Sequence, residues 1–331
     1  MENKTITFVD VGKTEVITSE VPAIKANQVL IKTEYTAVSA GTERNNLMLT
    51  PNVPQYFPKV LGYSGVGRII EIGGAVKNFT VGDRVLIYHG HHTAYNICEE
   101  HQLTKIEDDT IPSIEAAFVV IATMPLGGVR KLELELGESA MVMGLGILGI
   151  FAVQQLKLSG ADPLIAVDFD EKRRAKALEV GADYALNPGD PDFVDQVKAL
   201  TGGKGVNAIV EVTGSSAAMV QALDCAAFQG RISLLGCTRV SDCNVDYYKQ
   251  VHCPGIKLIG AHNFVRPKVE SYPHHWTHHD DCRCLLRLMS RGKFKVMPVI
   301  SEVHTVDEAV EVYDRLAKGR DFPLGVVFKW E

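Results

Sequence analysis

Residues 139–190 read SAMVMGLGILGIFAVQQLKLSGADPLIAVDFDEKRRAKALEVGADYALNPGD. The apolar run Ala140–Met143 leads into Gly144-Leu145-Gly146-Ile147-Leu148-Gly149, an apolar helical pattern follows, and a second β-like run, Leu164–Val167, ends on Asp168. Gly144 allows a tight strand-to-helix turn, Gly146 lets a pyrophosphate approach the backbone, and Gly149 lets helix and strand pack closely. Ile147 and Leu148 open the helix, whose N-terminal amides and partial positive charge suit phosphate. Asp168 stands about 20 residues beyond the glycines, where a carboxylate accepts hydrogen bonds from an adenosine ribose. Strand, turn, helix, strand and acid in this order predict a dinucleotide site.

Working outward, alternating β and α patterns continue after this stretch. Asp170 is expected to cap a helix through Glu179 that stops at Gly181, and strands are expected over 207–212 and 231–235. Thr213 and Gly236 follow those strands at the carboxyl edge of a parallel sheet, where ligands bind in doubly wound folds, so both are assigned to the cofactor. Upstream, residues 1–110 are β-rich, with short β-branched runs at 4–9, 28–35, 65–72 and 84–88 broken by Gly, Pro and Asn. Ser113 is expected to cap a helix over 114–123. Past Gly260 comes an irregular segment, AHNFVRPKVESYPHHWTHHDD, then a helix holding Cys282, Leu285, Leu286 and Met289, capped by Asp280 or Asp281. A second helix opens with the capping box Thr305/Glu308 and stops at Gly319; the last strand is 325–330.

The chain has 331 residues, room for two domains, with 46% hydrophobic and 22% charged residues. A net charge of −6 gives no basic footprint for nucleic acid. No apolar run reaches membrane-spanning length, and MENKTITFVDVG lacks a signal-peptide core. Seven scattered cysteines read as reduced thiols in a cytoplasmic protein.

The order of motifs resembles the medium-chain dehydrogenase/reductase superfamily of alcohol and polyol dehydrogenases. The resemblance rests on Leu61-Gly-Tyr-Ser-Gly-Val-Gly67, Val81-Gly-Asp-Arg-Val85, the GLGILG turn, and the helix ending at Gly292-Lys293 ahead of Val299. Ser39-Ala-Gly-Thr-Glu43 is similar to a bacterial branch of that superfamily. The resemblance implies an α/β protein: a β-rich GroES-like catalytic domain over 1–119, completed by 263–331, and a Rossmann NAD-binding domain, a doubly wound parallel sheet, over 120–262. It also implies a homodimer joined along the edge strand near 257–261.

The departures bear on mechanism. The resemblance places the three catalytic zinc ligands at Ala40, Tyr63 and near Val119, and the structural zinc lobe is reduced to Cys98. Alanine and valine cannot ligate a metal and tyrosine is an unusual zinc ligand, so no catalytic or structural zinc is expected. Thr42 keeps the hydroxyl of the family's proton relay, and Tyr63 offers a phenol as general acid or base. The resemblance sets Thr123 beside the nicotinamide and Arg173 beside the adenosine ribose. Asp168 favours NAD over NADP; Arg173 and Arg174 keep NADP as a minority option.

Two histidine-rich stretches, 89–92 and 274–279, are a rival metal site. For the second, substrate contact is the preferred reading, with His262, His275 and the stacking face of Trp276 as candidates. The expected reaction moves hydride between nicotinamide and a secondary alcohol or ketone, with sugars, polyols and cyclitols as the substrate class. The alternatives are a zinc-less quinone or enone reductase, and a non-catalytic NAD-binding regulatory protein.

Overall fold

The apolar runs flanking the glycine turn become strands because they are buried on both faces, as parallel strands covered by helices must be. In the computed structural model, which describes residues 1–319 and 322–330, Ala140–Met143 and Leu164–Val167 are buried throughout, and Val206–Glu211 is buried except at Asn207. They form the centre of a six-stranded parallel sheet. Its spatial order is Tyr184–Leu186, Leu164–Val167, Ala140–Met143, Val206–Glu211, Ala226–Leu234, Lys257–Gly260. Numbered along the chain this is 3-2-1-4-5-6, the Rossmann order, with the strand reversal at the start of the glycine turn. Met141, Ile165, Val167, Phe193, Val197, Ile209 and Ile232 fill one core of the sheet. Each such side chain removed from water contributes about 1.5–3 kcal/mol.

This sheet belongs to one of two compact units, Ala122–Asp281; the other is Met1–Ile121 together with Cys282–Glu331. In the latter, Gln28–Ala37 pairs with Ser64–Ile72 along one edge and with Tyr95–Glu99 and Gly325–Lys329 along the other. The C-terminal strand thus completes the N-terminal domain, the GroES-like arrangement. Helix Ala309–Lys318 buries Ala309, Val312, Tyr313 and Leu316, a stripe spaced i, i+3, i+4, i+7, against Ile6, Phe8 and Phe328. Among the described residues no helix is long and apolar enough to cross a membrane.

The elements differ from expectation in three places. Ser113 is not a cap: Pro112 occupies that position, a short helix covers Ser113–Ala116, and a separate helix runs Val119–Arg130 with Pro125 inside it. Proline ahead of a helix start fixes an extended entry that serine was expected to provide by hydrogen bonding. Asp280 and Asp281 lie inside the helix His278–Ser290; the amide of Asp280 donates to Thr277 Oγ1 at 3.2 Å, so Thr277 does the capping. The nucleotide unit also continues past residue 262 to Asp281, because the intervening segment is tied to it by the ionic contacts described below. By contrast, Asp170 caps Glu171–Glu179, accepting from the amides of Lys172 and Arg173, and the Thr305/Glu308 capping box is made in full.

Candidate functional site

The nucleotide half of the site starts at the glycine turn. Gly144 has φ +94°, which an L side chain rarely adopts, and a Cβ on Gly149 would lie 1.9 Å from the Gly144 carbonyl oxygen. A Cβ on Gly146 would meet nothing within 4 Å, which leaves the space beside the turn open. Gly146 is the N-cap of helix Ile147–Leu158 and supplies no side chain to its first amides. The turn is an open cradle at a helix N-terminus, and it fits a pyrophosphate.

Asp168 closes one side of the cradle. Its Oδ2 accepts from the Leu145 amide at 2.7 Å and its Oδ1 from the Asp170 amide at 2.9 Å. Each oxygen keeps a further acceptor direction for a ribose hydroxyl. Arg174 donates to the carbonyls of Asp168 and Phe169, at 2.7 and 2.9 Å, and so braces the loop. Arg173 is half-buried on the first turn of the following helix, with its amide on the Asp170 cap.

Thr213 lies against Gly144 of this turn, and Gly236 packs on Gly214 at the neighbouring strand end, both tied to Glu211, a carboxylate that the sequence reading passed over. Glu211, at the end of its strand and 1% exposed, accepts from the amides of Thr213 and Gly214 and from the Thr213 hydroxyl. Its backbone carbonyl accepts from the Leu235 and Gly236 amides at 3.0 and 2.8 Å. Burial pushes its carboxyl above the usual range, against the pull of those hydrogen bonds. Thr213 turns its methyl toward Gly144, where it would stand 2.7 Å from a Cβ.

The segment after residue 261 is organised by a buried ion cluster. Asp281, fully buried, takes Arg130 Nε on Oδ1 at 2.8 Å and Arg266 Nη1 on Oδ2 at 2.5 Å. Burial raises its carboxyl pKa, and the two guanidinium groups pull the other way. Arg266 also donates to the Thr123 carbonyl, and the Thr123 hydroxyl stands 3.3 Å from His278 Nδ1. Thr123 is fully buried in these contacts. One face of Trp276 is covered by the Arg130 guanidinium, 3.7 Å from the ring centre. His275 stacks on Tyr272 with ring centres 4.8 Å apart, and His262 Nδ1 accepts from the Phe264 amide at 3.2 Å. These three substrate candidates therefore have intramolecular partners, although His262 is exposed.

In the other unit, Tyr63 is half-buried and donates from its hydroxyl to Ser39 Oγ at 2.8 Å. Thr42 is exposed on the first turn of helix Ala40–Leu47. Behind them lies a second unanticipated centre. Glu43, fully buried, accepts from the Ser39 amide at 2.8 Å and the Tyr313 hydroxyl at 2.6 Å, and lies 3.2 Å from His92 Nε2. His92 Nδ1 meets Thr36 Oγ1 at 2.7 Å, and Trp330 Nε1 donates to the same oxygen at 2.9 Å. Burial alone would raise the Glu43 carboxyl. His92, Tyr313 and the Ser39 amide more than offset it and hold it below the usual carboxylate range. The Tyr313 phenol is pushed well up by burial and by Glu43, so it remains a donor.

The resemblance assigns the catalytic metal's ligand positions to Ala40, Tyr63 and near Val119. Ala40 and Val119 carry no ligating atom, and the Tyr63 phenol is hydrogen-bonded to Ser39. Among the described residues no three His, Cys, Asp or Glu side chains are grouped to hold a metal ion. Of the 89–92 stretch, His92 is engaged with Glu43 and Thr36, and the ring of His89 lies 6.5 Å from that of Tyr63.

Comparison with known proteins matches two family models in succession along the chain. Residues 25–132 match the family described as alcohol dehydrogenase GroES-like domain, and residues 148–276 match zinc-binding dehydrogenase. L-Threonine 3-dehydrogenase of Pyrococcus furiosus is 26% identical over 342 aligned positions, covering 92% of each chain. D-Guloside 3-dehydrogenase of Escherichia coli is 28% identical over 316 positions, covering 88% of this chain and 89% of the relative. The crystal structure of 2R,3R-butanediol dehydrogenase from Bacillus subtilis superposes with a TM-score of 0.84 at 20% identity, over 99% of this chain and 100% of the other. At that identity the likeness speaks for the fold.

Proposed function

The chain belongs to the medium-chain dehydrogenase/reductase superfamily, as an alcohol dehydrogenase-like oxidoreductase, and on that premise we propose that it is an NAD-dependent, zinc-independent dehydrogenase of secondary alcohols in hydroxyl-rich molecules. The observation that carries the cofactor half is the cradle at Gly146 closed by Asp168, whose two oxygens are fixed by backbone amides. A fixed carboxylate accepts from ribose hydroxyls and repels a 2′-phosphate, which favours NAD over NADP. Thr213 packs on Gly144; in this reading Thr213 and Gly236 face the cofactor and Arg173 borders the ribose. When bound, NAD accepts or returns hydride.

The chain's own residues supply the proton chemistry. In the oxidative direction the substrate hydroxyl gives its proton to the phenolate oxygen of Tyr63. With that proton held on Tyr63, the substrate oxygen would become a carbonyl if the bound NAD took the carbinol hydride. Thr42 passes the proton on to solvent. Zinc independence is supported by residue chemistry: two of the family's three ligand positions offer no donor atom. Sugars, polyols and cyclitols are the substrates to test, in keeping with relatives named for threonine and a guloside. Residence in the cytoplasm is part of the proposal, supported by seven reduced cysteines. So is a homodimer along Lys257–Gly260, the last strand of the parallel sheet.

The decisive experiment is a dehydrogenation screen with NAD on protein whose zinc content has been measured. Turnover without stoichiometric zinc is expected, and Tyr63→Phe should lower kcat about 10²–10⁴-fold, the usual worth of a positioned acid–base group. Stoichiometric zinc required for turnover would overturn the metal-free reading. Full activity in Tyr63→Phe would remove the phenol from the mechanism.

A further inference from the structure

Serine at a helix N-cap ordinarily turns its hydroxyl inward to accept from an amide of the first turn, a bond worth about 1 kcal/mol. Ser39 is the N-cap of Ala40–Leu47 and makes no such bond. Its Oγ instead accepts from the phenol of Tyr63, 24 residues away in sequence, at 2.8 Å. Half of a capping box does survive, in shifted form: the Glu43 carboxylate accepts from the Ser39 amide at 2.8 Å. The hydroxyl has been diverted from holding its helix to holding the phenol.

We propose that Ser39 is a positioning residue that aims the Tyr63 phenol and stabilises its ionised form during proton transfer; this deepens, and rests on, the reading of Tyr63 as the proton-handling group. The main chain of Ser39 is clamped on both sides. Its carbonyl accepts from the Glu43 amide at 2.9 Å and its amide donates to the Glu43 side chain. Glu43 is in turn gripped by Tyr313 and His92, and His92 by Thr36. Only the Ser39 hydroxyl can rotate. With Tyr63 protonated, that hydroxyl accepts from the phenol. Once the phenol has given up its proton, the Ser39 O–H turns to donate to the phenolate, a charge-assisted bond stronger than the first. The serine stabilises the charged form more than the neutral one, which lowers the phenol pKa. The titratable groups set around the phenol include His89, its ring centre 6.5 Å away and its imidazole kept toward neutral by burial, and Glu43 behind the Ser39 amide.

The test needs no substrate. Full-length protein labelled with ¹³C at the tyrosine ζ carbon is titrated by NMR, and the Tyr63 resonance is assigned among the ten tyrosines by its loss in Tyr63→Phe. In Ser39→Ala the midpoint should rise by about one pH unit, a tenfold weaker acid. Ser39→Thr, which keeps the hydroxyl, should return it toward wild type. The alkaline-side pH profile of turnover should move in the same direction. An unchanged Tyr63 midpoint in a folded Ser39→Ala protein overturns the proposal. Failure of the underlying reading looks different: Tyr63→Phe would stay active while the midpoint still moved with Ser39.

Discussion

The Leu145 amide donates to Asp168 Oδ2 at 2.7 Å, joining the glycine turn to the acid that ends the next strand. The residue proposed to select the cofactor therefore also shapes the glycine turn. A change at this position has two consequences that separate measurements resolve.

In Asp168→Asn the negative charge is lost and only one side-chain oxygen remains for two backbone amides. NAD affinity should fall about tenfold or more, equivalent to about 1.4 kcal/mol. NADP affinity should hold or improve, because the repulsion of its 2′-phosphate is gone. Calorimetric titration with each nucleotide checks this, alongside a thermal melt that reports the loosened turn. A lower melting temperature with unchanged NAD affinity would reduce Asp168 to a turn anchor.

The three glycines of the turn differ in what limits them, so alanine should affect two of them in different ways. A Cβ on Gly149 would sit 1.9 Å from the Gly144 carbonyl oxygen, and helix and strand would have to separate. Gly149→Ala is expected to destabilise the nucleotide unit by about 1–3 kcal/mol, the usual range for overpacking. Gly146 has φ −66° and open space beside it. Gly146→Ala should fold with wild-type stability, yet bind NAD at least about tenfold more weakly because the methyl enters the cradle. Urea melts and nucleotide titration of both variants decide it. Equal NAD affinity in Gly146→Ala and wild type would mean the cradle holds no pyrophosphate.

The glycine turn was readable from sequence because its geometry is local: the turn, its helix and Asp168 fall within about 25 residues, and their conformations follow from backbone sterics. The buried carboxylates were not readable for the opposite reason. Glu43 meets Tyr313 and His92 across 270 and 49 residues, and Asp281 meets Arg130 across 151. No periodicity carries such pairings. One signal was present: the Ser39–Glu43 pair ahead of a helix resembles a shifted capping box, which marks both residues as structurally committed. The partners of the 274–279 histidines were not readable for a related reason. Short spacing left a shared ligand open as a rival to substrate contact, and the fold pairs His275 with Tyr272 and His278 with Thr123.

Glu43 makes a prediction about acid stability. Its carboxyl is held below the usual range in the folded protein, whereas in the unfolded chain it titrates near about 4.3. Above that value both states are ionised and the stabilisation is fully present. As pH falls, the unfolded chain takes up the proton first, and the contribution drains away down to the folded-state pKa. Glu43→Gln removes a buried charge that Ser39, Tyr313 and His92 all address. It should destabilise the protein at pH 7 by about 1.5–3 kcal/mol, the range for a hydrogen bond to a charged group. That gap should narrow as the pH is lowered from 5 toward 3, because the wild type alone loses the Glu43 term there. Urea melts of both proteins at pH 7, 5, 4 and 3 give the result directly. A gap that stays constant over this range would mean that the carboxyl is not depressed, and that the Glu43 centre holds the fold by packing and neutral hydrogen bonds instead of by its charge.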